Sequence, residues 1–482
     1  MRFSFLPTGA IVLGSTAPPL PFPRLWLNRA DQAHHATIWG RTGSGKSKLL
    51  QSVFLQHFRQ GHGVGLIEPH HDLSFDCLAS LVASGFFRKQ GAYDQLVYLD
   101  WGNGDYVPFN VLAGRGTPQT VALNALEAML RVWPELVDAP LFQTLFLSSM
   151  IVLIENRLPI TFLYRLLSEL SFRRRCLARV QNPLVQQSFA SFERLGRDQV
   201  QAAGSTLRRA FLLSFSPDAQ FSLGQPENWL DFRQIMDAGK GLIINLGNIN
   251  DAETKKLLGA LLMVQLEQAA LGRSNLLPQD RRPFTLLVDE WSAFAAHEGT
   301  IETILSQARK YKLSLYLAAQ SLAQVGSKRL SGALENCRIS IVFGVGRDSA
   351  EIEAKHLGQA DAFALKEAAL TETQHALYQS TVEQFEAWTQ ELQHLSPRLA
   401  YVKLHDRPAR KIRTLAVPES RPDPSELAEV LAEYRRRTQR TESEARMAVA
   451  TLEDAVIGTL EPARSSYTSL FAGPGGQTQK PN

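Results

Sequence analysis

The octapeptide GRTGSGKS at Gly40–Ser47 is the stretch of sequence that decides the fold. It fits the pattern G-x-x-x-x-G-K-[ST] of a phosphate-binding loop. A short apolar strand is predicted before it at Ala36–Trp39, and Lys46–Arg59 has apolar residues at helical spacing after it. Because the motif requires a strand before it and a helix after it, this context favours a nucleotide site over a chance glycine turn.

The loop has the residue types that phosphate binding needs. Small residues let backbone N–H groups approach phosphate oxygens, and the N-terminus of the following helix adds a favourable dipole. Lys46 is expected to reach the β- and γ-phosphates, and the Ser47 hydroxyl is expected to ligate Mg²⁺. ATP and Mg²⁺ are therefore the predicted ligands. The residues predicted to bind nucleotide are Gly40, Thr42, Gly43, Ser44, Gly45, Lys46, Ser47 and Lys48.

Two further strand ends carry candidate catalytic residues. Phe284–Val288 is apolar and ends in Asp289 and Glu290. With a phosphate loop in the same chain, Asp289 is predicted to hold Mg²⁺ through its waters. Glu290 is predicted to polarise the water that attacks the γ-phosphate. Another predicted strand leads to Gln320, a candidate for sensing the γ-phosphate or orienting water.

Short apolar strands alternate with helices on both sides of a long helical region, which predicts an α/β fold with a mostly parallel sheet. Asp289 lies 243 residues after Lys46, so a large insertion is expected between them. The predicted organisation is an N-terminal lead-in at 1–35, a P-loop, RecA-like motor domain at 36–116 and 221–416, an all-α insertion at 117–220, and a charged helical tail with a disordered C-terminus at 417–482.

Composition excludes several classes of protein. With 44% hydrophobic and 20% charged residues, the chain is neither disordered throughout nor a fibre. Its formal net charge of +4 is too small to indicate nucleic-acid binding without local clustering. The three cysteines are far apart, which favours a reducing compartment and no zinc site. The longest apolar stretch, Leu141–Ile154, is interrupted by polar residues and predicts a buried helix rather than a membrane span.

The order of these motifs resembles the HerA/FtsK superfamily of DNA-pumping ATPases, and within it the TraG/TraD-type coupling proteins of conjugation and type IV secretion. Besides the phosphate loop and the acidic strand, GLIEPHHDL, LVYLDWGNGDYVPFNVL and ARKYKLSLYLAAQSLAQV are similar to family elements. ENCRISIVFGVGRDSAEIEAKHLG resembles the closing strand. The likeness covers about residues 10–415. It departs from the family at His71, which replaces a usual glycine, and in the absence of predicted transmembrane helices.

This resemblance implies a homohexameric ring with nucleotide at the subunit interfaces and DNA in the pore. It also implies an arginine supplied by the neighbouring subunit, an arrangement worth about 10³–10⁵ in rate. Arg338 is the first candidate for this arginine, and Arg309 and Arg347 are the alternatives. The expected partners are DNA, contacted through its backbone, and a relaxase or secretion-channel proteins. The expected location is the cytoplasm, with peripheral attachment to the inner membrane as the alternative.

The predicted function is an ATP-hydrolysing DNA translocase of a conjugative or type IV secretion-like system. One alternative is a soluble HerA-like ATPase that packages DNA or acts in defence beside a nuclease or capsid. Another is a nucleotide-gated scaffold protein, which Glu290 argues against, because a pure switch needs no hydrolytic base.

Histidine pairs and basic clusters leave alternatives open. His34–His35 and His70–His71 have no common metal-ligand spacing and are interpreted as loop or interface residues, although His71 and Asp72 are expected near the nucleotide. The basic clusters are predicted either to contact DNA phosphates or to form solvated surfaces. They are Arg173–Arg175 with Arg179, Arg407–Arg413, and Arg435–Arg437 with Arg440.

Overall fold

The structure is a computed structural model that describes residues 8–16, 24–114, 116–194, 208–209, 211–213, 215–293, 298–321, 332–364 and 378–457. Within these residues, eleven strands form one sheet, in the spatial order β2-β1-β12-β11-β10-β3-β9-β8-β4-β7-β5. Their bounds are β1 Ile11–Thr16, β2 Arg24–Leu27, β3 Ala36–Trp39, β4 Gly63–Glu68, β5 Leu96–Asp100, β7 Gly241–Asn245, β8 Phe284–Val288, β9 Leu313–Ala319, β10 Ile339–Val342, β11 Leu399–Leu404 and β12 Arg410–Thr414. The short strands β6 Asp105–Tyr106 and β13 Arg440–Thr441 pair separately.

The seven strands from β10 to β5 are all parallel, so their carboxyl ends lie along one edge of the sheet. We call this the carboxyl edge and the opposite one the amino edge. Most side chains of these strands are buried, which requires helices on both faces. The predicted α/β fold with a mostly parallel sheet is confirmed.

The remaining four strands extend the sheet in antiparallel fashion. The sequence predicts a hairpin from the stretches 399–404 and 412–415, and the structure confirms it as β11 and β12, which pair with Ala400 opposite Ile412. β1 pairs with β12 and β2 pairs with β1, so part of the N-terminal segment belongs to the main sheet.

Helices cover the sheet and form a separate layer between β6 and β7. The helices are α1 Arg29–Gln32, α2 Lys46–Arg59, α3 Asp72–Ala83, α4 Ala92–Gln95, α5 Pro118–Val132, α6 Pro140–Glu155, α7 Leu163–Ser168, α8 Leu170–Leu177, α9 Pro183–Phe192, α10 Pro217–Leu223, α11 Phe232–Ala238, α12 Ala252–Leu271, α13 Glu298–Gln307, α14 Arg347–Leu357, α15 Thr381–Gln393, α16 Pro424–Thr438 and α17 Glu442–Ile457. No helix in the part of the chain that the structure describes has the length and apolar character to cross a membrane.

The helical layer shares one hydrophobic core with the sheet. Val121 and Met129 of α5 lie in the same buried cluster as Leu258 and Leu262 of α12 and the sheet residue Ile244. The stretch that we predicted as a buried helix is α6, and its Phe142 and Phe146 are buried. Residues 205–214 have apolar residues at helical spacing, which predicts a helix, and most of this stretch lies outside the described residues.

The C-terminal helices dock on the end of the sheet. The Tyr434 hydroxyl of α16 donates to the Leu96 carbonyl of β5 at 3.1 Å. Ala445 of α17 packs with Tyr106 and Phe221 in a small separate core. The terminal residues 458–482, including the stretch predicted to be disordered, lie outside the described residues.

Candidate nucleotide-binding site

The predicted phosphate loop lies at the carboxyl edge, between β3 and α2. Its two neighbouring strands hold it in place: the Gly40 N–H donates to the Ala319 carbonyl at 3.2 Å, and the Arg41 N–H donates to the Gly344 carbonyl at 2.9 Å. The loop is therefore anchored on both sides before any ligand binds.

Glycines give the loop its shape. Gly43 and Gly45 have φ angles of 77° and 111°, a region that disfavours side chains. A Cβ atom on Gly43 would meet nothing within 4 Å, so the space beside it is open. The Ser44 hydroxyl is buried and has no hydrogen-bond partner among the described residues. An orphaned hydroxyl in an open glycine loop fits a phosphate oxygen.

The Lys46 side chain is buried and folds back over the loop. Its ammonium contacts the Gly40 carbonyl and lies 3.4 Å from the Arg41 carbonyl oxygen. Burial lowers the pKa of Lys46, and the charges of Asp289 and Glu290 act in the opposite direction. The ammonium is thus held between the loop and the acidic pair, as a phosphate-binding lysine requires.

Ser47 and Asp289 meet although 242 residues separate them. The Ser47 hydroxyl donates to Asp289 Oδ2 at 3.3 Å, and the Asp289 N–H donates to the Ile67 carbonyl at 3.0 Å. Asp289 is only 6% exposed. Burial raises the pKa of its carboxyl, while Lys46 lowers it. Hydroxyl and carboxylate oxygens are the ligands that Mg²⁺ prefers, so this pair could hold the ion together with a nucleotide.

Glu290 follows directly and has an unusual backbone. Its φ angle of 44° is uncommon for a residue with a side chain, and its N–H donates to Asp289 Oδ1 at 3.0 Å. Such conformations cluster at functional sites. The Glu290 carboxylate accepts from the Ser292 hydroxyl at 3.4 Å, and Glu290 is half-buried.

The remaining predicted site residues are arranged around this centre. Gln320 is exposed and directly follows β9, which lies between the strands of the phosphate loop and the acidic pair. Thr42 is exposed on the loop. The Lys48 ammonium forms an ion pair with Asp76 of α3 instead of pointing at the loop, so only its backbone N–H remains for a nucleotide.

The three candidate arginines lie at different edges of the sheet. Arg338 directly precedes β10 at the amino edge, where its carbonyl accepts from the His405 N–H at 2.7 Å. Arg309 also lies at that edge, 3.3 Å from His34. Arg347 begins α14 at the carboxyl side and pairs with Glu386 at 2.8 Å. Neither Arg338 nor Arg309 is therefore near the phosphate loop of its own chain.

Glu68, which sequence reasoning did not select, lies beside this site. It ends β4, is buried, and accepts from the Leu73 N–H at 2.8 Å and the Ser74 hydroxyl at 2.6 Å. Burial raises the pKa of Glu68, the three hydrogen bonds from Leu73 and Ser74 lower it, and the charge of Asp289 adds to the rise. The acidic residue at the end of an apolar strand in GLIEP was the available signal.

A polar cluster lies at the ends of β7 and β5, the two strands that follow β4 in the sheet. Sequence reasoning did not select it either. The Asn245 amide donates to Asp100 Oδ1 at 2.7 Å and lies 2.6 Å from His71 Nδ1. Burial raises the pKa of Asp100. Both residues end apolar strands, and this position could have identified them.

His35 of the first histidine pair and Arg173 of the first basic cluster make contacts that stabilise the fold. His35 Nδ1 accepts from the Leu315 N–H at 2.9 Å. In the described ranges, no group of three or more metal-ligating side chains converges. Arg173 is buried and donates to the Leu167 carbonyl at 3.0 Å, while Arg174 and Arg179 are exposed.

Residues 283–393 match a family model described as the TraM recognition site of TraD and TraG. This segment includes β8, the acidic pair and β9. No curated protein matches the chain in sequence.

Solved structures share the fold. The conjugative coupling protein TrwB in complex with ADP and Mg²⁺ is 16% identical, with 88% of this chain and 99% of that chain covered and a TM-score of 0.58. Unbound TrwBdeltaN70 is also 16% identical, with coverages of 83% and 89% and a TM-score of 0.58. VirB4 of Thermoanaerobacter pseudethanolicus is 13% identical, with coverages of 85% and 96% and a TM-score of 0.54. The family model and these folds confirm the predicted resemblance to TraG/TraD-type coupling proteins.

Proposed function

We propose that this chain is an ATPase of the type IV secretion kind that hydrolyses ATP to move DNA, acting as a homohexameric ring. The observation that carries the proposal is the Ser47–Asp289 contact of 3.3 Å beside Lys46 and Glu290. It brings a phosphate loop, a metal-ligand pair and a candidate base to one edge of the sheet.

In this proposal the loop from Gly40 to Ser47 binds the phosphates of ATP, and Ser47 and Asp289 hold Mg²⁺. When bound, Mg²⁺ neutralises charge on the phosphates. Glu290 orients a water and accepts its proton, because its carboxylate follows the buried strand end. Gln320, on the strand between the two motifs, contacts the γ-phosphate or the water.

The similar proteins support both the proposed nucleotide ligand and the proposed role in DNA transfer. TrwB has been crystallised with ADP and Mg²⁺ and with non-hydrolysable GTP and ATP analogues. The matching family model is described by its recognition of TraM. We infer that residues 283–393 contribute to docking a DNA-processing partner. This match favours the coupling role over packaging or defence.

A ring would bring Arg338 and Arg309 of one subunit to the phosphate loop of the next. Arg338 and Arg309 lie at the edge opposite the phosphate loop, so either could act only on the site of a neighbouring subunit. We keep Arg338 as the proposed trans-acting residue, with Arg309 and Arg347 as alternatives. DNA contacts are proposed to be backbone-directed and to line the pore.

The test is ATP hydrolysis with and without DNA, combined with mass photometry. We expect DNA to stimulate hydrolysis and ATP with DNA to favour hexamers. Lys46→Ala should abolish turnover with the fold intact, while Lys89→Ala, an exposed lysine far from the loop, should not. Undiminished turnover in Lys46→Ala would refute the nucleotide site. A chain that hydrolyses ATP but stays monomeric and ignores DNA would refute the translocase.

A further inference from the structure

A second cavity opens at the amino edge of the sheet, on the side away from the phosphate loop. Its volume is about 590 Å³, and it is lined by the starts of β4, β8 and β9 and by the residues that follow α2. Small-molecule sites commonly occupy about 300–1,000 Å³. Of its lining residues, only Arg309 enters the proposed ATPase reaction, as an alternative to Arg338.

The charges around the cavity are of one sign. Its lining includes the exposed cations Arg29, Arg282, Arg309 and Lys312, and no lining residue is acidic. Within the described part of the chain, none of these four cations forms an ion pair with a carboxylate. Arg282 donates to the Ala238 carbonyl at 2.9 Å, and the Arg309 guanidinium lies 3.3 Å from a His34 ring nitrogen. Four cations held close together without counter-charges favour an anionic ligand.

The wall of the cavity contains a buried polar group without a partner. His57 of α2 lines it, is only 2% exposed, and has no hydrogen-bond partner for either ring nitrogen among the described residues. Burial and the neighbouring His62 lower the pKa of His57 to about 3, so the ring is neutral near pH 7. One ring nitrogen is therefore an N–H donor that still needs an acceptor.

Two nearby features oppose an anion, and both are weaker than the four cations. The C-terminus of α2 carries a partial negative charge of about half an elementary charge. Asp31 is buried, is 3.1 Å from His405, and accepts from the Asn28 N–H at 3.1 Å, so its charge is already engaged. Neither feature offsets four full positive charges.

We propose that this cavity binds a small anion carrying several phosphate charges, either a nucleoside di- or triphosphate or an inorganic polyphosphate. Four cations match a ligand with several negative charges better than one inorganic phosphate. Helix α2 joins the two sites directly, because its first turn contains Lys46 and its last turn contains His57, about 17 Å further along the axis at 1.5 Å per residue.

The test uses the full chain with Lys46→Ala, so that the phosphate loop does not contribute to binding. Pyrophosphate, inorganic triphosphate and ATP are each titrated by calorimetry in the presence of EDTA. We expect one site per chain. Arg29→Gln with Arg309→Gln should weaken it by about tenfold or more, because charge-assisted contacts to phosphate are lost. The matched control, Arg59→Gln with Lys310→Gln, removes two exposed cations that do not line the cavity and should change affinity little.

The probes separate the two sources of phosphate. If affinity depends only on the charge of the anion, the ligand is an inorganic polyphosphate. If ATP binds more tightly than inorganic triphosphate, the ligand is a nucleotide. Histidine ring NMR should show a shift of the His57 signal on binding, and His57→Gln should remove that signal. Absence of binding, equal loss in both double variants, or binding only of an oligonucleotide would overturn the proposal. The outcome does not depend on ATP hydrolysis at the phosphate loop.

Discussion

The Ser47 hydroxyl donates to Asp289 Oδ2 at 3.3 Å and thereby connects the phosphate loop to the acidic strand across β9. The contact exists because the two strands end at the same edge of a parallel sheet. The helical layer between them lengthens the sequence separation without changing this geometry.

Asp289→Asn should keep the shape of the side chain but remove its charge. We expect hydrolysis to fall by at least about 10²-fold, because the Mg²⁺ that neutralises charge on the transferred phosphate loses its carboxylate ligand. ATP affinity should also lose most of its dependence on Mg²⁺. Nucleotide binding measured by fluorescence anisotropy with and without Mg²⁺ checks this. Asp406→Asn, at an exposed turn of the amino edge, is the matched control, and an equal effect there would remove Asp289 from the site.

Glu290→Gln separates binding from chemistry. The variant should bind ATP as the wild type does, because the phosphate loop and Asp289 are unchanged. Its turnover should fall by about 10²–10⁴-fold, the usual contribution of a general base. Single-turnover hydrolysis and equilibrium binding measure the two properties separately. Undiminished hydrolysis would assign the base to another residue.

The strands of the parallel region could be located from the sequence, because each is short, apolar and bounded by polar or glycine residues. β3, α2 and β8 have the predicted bounds. The phosphate loop and Asp289 could be predicted because each follows such a strand. Glu68, Asn245 and Asp100 can be noticed in the sequence as polar residues that end apolar strands, but their contacts could not be predicted, because those depend on which strands are neighbours. That order, with β8 between β4 and β9, arises from packing and leaves no local pattern.

The position of Arg338 at the amino edge predicts a specific result in mixed rings. Mixing Arg338→Ala chains with Lys46→Ala chains should restore activity, because a site with an intact Lys46 then receives Arg338 from its Lys46→Ala neighbour. ATPase activity across a series of mixing ratios of the two variants measures this. Arg347→Ala is the comparison, since Arg347 lies at the carboxyl side and pairs with Glu386. No recovery of activity in the mixture of Arg338→Ala and Lys46→Ala chains would transfer the role to another arginine.

Buried His57 predicts a pH-dependent stability. Its pKa is about 3 in the folded chain and 6.5 when unfolded, so the unfolded state binds more protons below pH 6.5. Stability is therefore lost as pH falls through this window, by about 2 kcal/mol between pH 7 and pH 5 from this residue. His57→Gln should reduce the loss by that amount. Urea unfolding at pH 8, 7 and 5 measures it, with no difference expected between pH 8 and 7. Parallel pH curves for both chains would contradict the assignment.

Arg173 and Arg174 are adjacent on α8, and replacing each with alanine should have different effects on stability. Arg173 is 7% exposed and donates to the Leu166 and Leu167 carbonyls and, at 3.1 Å, to Glu193. Arg173→Ala should therefore destabilise the helical layer by about 2–4 kcal/mol, because these acceptors lose their donor in a buried setting. Arg174→Ala removes an exposed charge and should change stability by less than about 0.5 kcal/mol.

The same two variants test whether α8 contacts DNA. If it does, Arg174→Ala should weaken DNA binding and lower the salt dependence by about one released counterion, whereas its stability stays unchanged. Anisotropy with labelled DNA at several salt concentrations, paired with urea unfolding, measures both effects. Equal DNA affinity and salt slope for Arg174→Ala and wild type would make α8 a solvated surface and place the DNA contacts elsewhere on the ring.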